Sequence, residues 1–192
     1  MKRVWVAVVA CAALASNCFA EVFLGITYEA TLGDIKKLYP NAQYTKLTTA
    51  WLTENEAFFK VTGSGLGGEL RIAFTDYRPG LRKLAQETTD QELAETYRKA
   101  ASKPEDESLG VNWVRLIYAS PVPLEAFKKK YDQPTTCAHD QTFDLKCEWP
   151  NRSIVANMSK DGKSVSSADT IFTIQEKRDG YLKNWGWLPT GL

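Results

Sequence analysis

Cys137, His139, Asp140 and Cys147 lie within one short stretch and carry the side chains best suited to chemistry. A thiol with an imidazole two residues on, and a carboxylate beside it, has the makings of a nucleophile, a base and an orienting group. That chemistry needs a free thiolate. A second cysteine about ten positions away, in an oxidising compartment, argues for a disulfide instead. His139 is the single histidine of the chain, and with two sulfur ligands it cannot close a tetrahedral zinc site. Cys137 and Cys147 are therefore expected to pair, closing a loop of about ten residues and contributing roughly 2.5 to 3 kcal/mol on chain-entropy grounds. No metal and no cofactor is expected.

The oxidising compartment follows from the first residues. Met1-Lys2-Arg3 is a basic start, 4–14 is apolar, and Cys18-Phe19-Ala20 ends in small-x-small form, the layout of a secretory signal peptide cleaved after Ala20. The apolar run is too short to span a bilayer, which takes ~20 residues, and no transmembrane segment is expected. A lipoprotein box at Cys11 would leave too few residues before it, and Cys18 follows Asn17 where a small residue is wanted. Cleavage removes Lys2 and Arg3 and takes the formal net charge from +1 to about −1. Such a balance gives no global field for nucleic acid.

Other catalytic signatures are missing. "GSGLGG" at 63–68 lacks the Gly-Lys-Ser/Thr ending of a phosphate loop and leads into a strand, so it reads as a hairpin connection. Glu54 with Glu56, and Glu105 to Glu107, lie in polar connections and read as solvated surface. No serine sits in a Gly-x-Ser-x-Gly elbow. Lys128 to Lys130 read as the wet side of a helix. No enzymatic activity is expected.

The elements that must position these residues read as a pattern stated twice. "TLGDIKKLYPNA" at 31–42 and "PLEAFKKKYDQP" at 123–134 share a layout about 92 positions apart. Each places apolar residues on one helical face, Leu32, Ile35 and Tyr39 in the first and Leu124, Phe127 and Tyr131 in the second. Thr31 and Asp34 have capping-box spacing and Pro40 stops the first helix. "VFLGITY" before the first helix and "NWVRLIYA" before the second read as strands. Strands are also expected at 44–53, 57–63 and 69–76, and again at 142–149, 153–158 and 170–176. Between the two sets, 81–101 reads as helix with a break near Thr88 and Thr89, where Thr89 and Glu92 suggest a cap.

The expected fold is therefore α+β: two tandem β-α-β-β-β units with antiparallel sheets, short helices packed on one face, and a connecting helix. The first unit covers 21–80, the helical connector and linker 81–110, and the second unit with an aromatic tail 111–192. Whether the units share one sheet or form two stays open. Tandem helix-plus-sheet repeats in an exported chain of this size resemble the beta-lactamase inhibitor protein and its relatives. The resemblance implies an inhibitor presenting sheet and loops to a partner protein.

Aromatics supply the remaining signal: Trp51, Phe58, Phe59, Trp113, Trp149, Trp185 and Trp187 are many bulky side chains for a small domain. Most are expected in the core by strand alternation. Trp185 and Trp187, in the tail "YLKNWGWLP", either close the core or form an exposed patch. They are candidate binding residues, together with His139, Asp140 and Gln141 at the tip of the disulfide loop, where a pre-ordered loop serves recognition. The expectation is an exported protein, periplasmic or secreted, that binds another protein as an inhibitor or immunity-type module. The alternative is an envelope protein that grips peptide, glycan or lipid.

Overall fold

The computed structural model describes residues 23–48, 55–63, 65–139, 144–150, 153–170 and 172–185. The first helix, α1 (Leu32–Leu38), starts where the capping spacing places it. The Asp34 amide donates to Thr31 Oγ1 at 3.2 Å and the Thr31 amide donates to Asp34 Oδ2 at 3.1 Å, satisfying two amides that the helix itself leaves unpaired. Strands β1 (Gln43–Leu47), β2 (Glu56–Thr62) and β3 (Gly68–Asp76) follow. Gly65 and Gly67 adopt φ of 93° and 66° in the β2–β3 connection, a conformation a side chain disfavours.

Two helices, α2 (Arg78–Glu87) and α3 (Gln91–Ala101), pack chiefly on one another. The short α4 (Glu105–Ser108) then leads into β4 (Leu109–Pro123), the longest strand. Helix α5 (Leu124–Tyr131), strands β5 (Thr136–His139), β6 (Leu145–Trp149), β7 (Ile154–Met158) and β8 (Ser164–Thr170), and helix α6 (Ile174–Trp185) complete the order.

All eight strands form one antiparallel sheet in the order β1-β2-β3-β4-β8-β7-β6-β5. The open question of one sheet or two is thus answered by β4, which pairs with β3 on one side and β8 on the other. Alternation decides which face is dry. Phe59 and Val61 of β2, Leu70, Ile72 and Phe74 of β3, and Val114 and Leu116 of β4 join Ala156 and Ala168 in one core. Leu32 and Ile35 of α1 and Phe127 and Tyr131 of α5 bury against that same core. Helix–strand packing runs chiefly through α1, α4 and α5, and the opposite face of the sheet, which α2 borders at its Thr75 end, carries none of these three helices.

The tandem β-α-β-β-β description fails in detail. "VFLGITY" is no strand: Phe23–Gly25 is a single 3-10 turn with Leu24 at φ 61°, and Glu29 at φ 60° turns the chain again. Its apolar character comes from burial, since Phe23, Ile26 and Tyr28 plug the core without joining the sheet beyond a short pairing of 29–31 with β4. The second set holds an additional strand, β5, and its final strand ends at Thr170. Residues 174–176 are helical because Thr173 and Glu176 form a capping box, with the Glu176 amide donating to Thr173 Oγ1 and the Thr173 amide to Glu176 Oε2. The break between α2 and α3 lies where expected, but Asp90 is the N-cap, accepting from the amides of Glu92 and Leu93.

Candidate binding face

Register aligns residues across the helix-free face. Lys60 stands opposite Arg71, Arg71 opposite Arg115, Arg115 opposite Asp169, Asp169 opposite Val155, and Val155 opposite Glu148. One lateral row therefore holds three cations on three adjacent strands, followed by two acids. In the neighbouring row Phe58 and Trp113 flank Ala73. The small alanine leaves room for the two rings to lean together, and they stack with centroids 6.0 Å apart and planes 21° from parallel.

The two rows meet at Arg115. Its guanidinium carbon lies 5.0 Å from the Trp113 ring centroid, while Nε and Nη2 donate to the two Asp169 oxygens at 2.5 and 2.9 Å. Asn157 donates to Asp169 Oδ2 at 3.1 Å and to Ser167 Oγ at 3.0 Å. On the other side, Glu69 takes Lys60 Nζ at 2.6 Å and Arg71 Nε at 2.7 Å. These two hydrogen-bonded cations hold the Glu69 carboxyl below the usual carboxylate range. The result is an aromatic and charged surface whose side chains are pre-ordered by their own contacts.

The residues singled out in the sequence divide differently. Cys137 and Cys147 are bonded, with S–S 2.07 Å, across a directly opposed pair of β5 and β6. Cys147 is buried and Cys137 exposed, so the bridge fastens an edge strand to the core. His139 is exposed and is the last residue of β5, opposite Leu145. Asp140 and Gln141 lie outside the described residues, as does Trp187. Trp185 is the last residue of α6. Phe58, expected in the core, is buried beneath this face, Trp113, expected there too, is half-buried on it, and Arg115 and Asp169 were passed over. The available signal was the alternation in "NWVRLIYA", where Trp113, Arg115 and Ile117 share the phase opposite Val114 and Leu116.

Three depressions lined by described residues have cavity volumes of about 140, 150 and 170 Å³. Small-molecule sites are larger, ~300 to 1,000 Å³. Among the described residues no group of three His, Cys, Asp or Glu is placed to hold a metal ion, and no helix is long and apolar enough to cross a membrane. Comparison with protein-family models, curated proteins and solved structures finds no match.

Proposed function

We propose that the chain is an exported, non-enzymatic binding protein of the bacterial cell envelope, an inhibitor or immunity-type module that works by protein–protein contact through the helix-free face of its sheet. The observation that carries this reading is the Phe58–Trp113–Arg115 stack, set on the sheet face opposite the helices. Tryptophan and arginine dominate the few residues that hold most interface energy, and pre-ordering them lowers the entropy lost on association. Eight strands at about 4.8 Å spacing span roughly 34 Å, wide enough for one side of a standard interface of about 800 Å². The shallow depressions favour a protein over a small ligand.

Export rests on the signal-like residues 1–20 and is supported by the Cys137–Cys147 bridge, a bond typical of oxidising compartments. Intact mass of the secreted chain tests it: a start at Glu21 supports export with cleavage, and an acylated Cys11 or Cys18 contradicts the proposed processing. The binding role is tested by capture of partners from periplasmic and culture fractions with the wild type and Trp113→Ala.

A further inference from the structure

We infer that the row Lys60–Arg71–Arg115 reads acidic side chains, so that the partner presents a short protein segment with at least two carboxylates beside an apolar side chain. This inference rests on the proposal that the helix-free face binds a protein and names the chemistry of what it binds.

Like charges placed directly opposite in a sheet repel. Here three cations follow one another on β2, β3 and β4, with two carboxylates, Glu69 and Asp169, against them. Among these five side chains one positive charge is left over, and Glu56 lies further along the same face of β2. The side chains of Lys60 and Arg71 are each 41% exposed and that of Arg115 is 37% exposed. Donors remain available. Among the described residues Arg71 meets Glu69 through Nε, leaving both Nη groups, and Arg115 meets Asp169 through Nε and Nη2, leaving Nη1. Planar guanidinium groups with outward N–H suit carboxylates.

The neighbouring strands are about 4.8 Å apart. Two carboxylates roughly 5 to 7 Å from one another, as on one side of an extended segment or successive turns of a helix, would reach adjacent cations. Trp113, half-buried in the next row and backed by the buried Phe58 ring, offers the apolar contact. A long polyanion fits less well, because the same row continues into Asp169 and Glu148, where like charge repels it. The near-zero formal charge of the chain also supplies no extended field for nucleic acid.

The test uses a fluorescent decapeptide with two pairs of Glu around a Phe, its Gln counterpart, and heparin as a polyanion, read by anisotropy at low salt and by amide shifts in NMR. The Glu peptide is expected to bind with shifts confined to β2, β3 and β4, and about tenfold more weakly in Lys60→Gln/Arg71→Gln. The Gln peptide is expected to lose affinity by a similar factor. Lys129→Gln/Lys130→Gln, on α5, is expected to change nothing. Lys60→Gln alone gives a smaller loss, which guards against misfolding of the double variant. Equal affinity for the Glu and Gln peptides, an unaffected double variant, no binding at millimolar peptide, or tighter binding of heparin at the same residues overturns the inference. A captured partner that is lost in Trp113→Ala but kept in Lys60→Gln/Arg71→Gln overturns acid reading alone and leaves the binding proposal standing.

Discussion

Arg115 and Trp113, two residues apart on β4, point to the same side of the sheet and touch, with the guanidinium carbon 5.0 Å from the indole ring centroid. Spacing of two along a strand makes this contact local, and pairing with Asp169 from β8 makes the same guanidinium part of the tertiary fold. One side chain thus links a half-buried aromatic to a buried acid.

Arg115→Ala is expected to cost about 1 to 3 kcal/mol in urea unfolding, because Asp169, with its side chain 12% exposed, keeps among the described residues only the Asn157 side chain as a donor to its carboxylate. Asp169→Ala in the Arg115→Ala background should cost less than it does alone. A double-mutant cycle measures the coupling, and a value near zero contradicts the contribution assigned to the pair.

Reduction of Cys137–Cys147 is expected to lower stability by roughly 2 to 3 kcal/mol. The exchange of amide hydrogens should rise first in β5, which among the described residues pairs with β6 alone and lies at the sheet edge. Protection in β3, at the centre of the core, should persist under conditions that open β5. Uniform loss of protection across both strands contradicts this order.

Gly110→Ala should be strongly destabilising, by roughly 2 to 3 kcal/mol. A Cβ built at Gly110 would meet Glu29 Oε2 in severe overlap. Glu29 is fully buried and accepts from the Tyr77 hydroxyl at 2.6 Å, so it cannot move without breaking a buried polar contact. Wild-type thermal stability in Gly110→Ala would place Glu29 differently.

Acid should weaken the fold through Glu69, Asp76 and Asp34. Lys60 and Arg71 hold the Glu69 carboxyl down. Burial alone would raise the other two, but hydrogen bonds from Arg78 to Asp76, and from Lys37 and Thr31 to Asp34, outweigh it. Because all three are depressed in the folded chain, the stability they contribute is present above the ordinary carboxylate range, about pH 4, and is lost as pH falls through the folded values. Urea midpoints should drop below about pH 4, and Glu69→Gln, less stable at neutral pH, should converge on the wild type in acid. Parallel profiles for the two proteins contradict this assignment for Glu69.

Periodicity made α1, α5 and most strands legible, since Leu32 and Ile35, or Leu70, Ile72 and Phe74, recur at the spacing of the element that buries them. It failed at "VFLGITY", where a buried plug and a buried strand look alike until Leu24 and Glu29 reveal left-handed turns. The capping box at Thr173 and Glu176 was readable and passed over, because the apolar residues around it suggested a strand. The proposed binding face lay deeper. Trp113 and Arg115 become neighbours of Phe58, Arg71 and Asp169 only through registers that join strands distant in sequence, and no local pattern encodes those.

The proposed function is binding of a protein partner through Trp113 on the helix-free face. Quantitative capture from periplasmic and culture fractions, with wild type, Trp113→Ala and Lys129→Gln/Lys130→Gln compared by mass spectrometry, tests it most directly. One partner should be held alike by the wild type and the lysine variant and lost at least tenfold from a folded Trp113→Ala. Equal recovery of that partner by Trp113→Ala, at unchanged thermal stability, would contradict it.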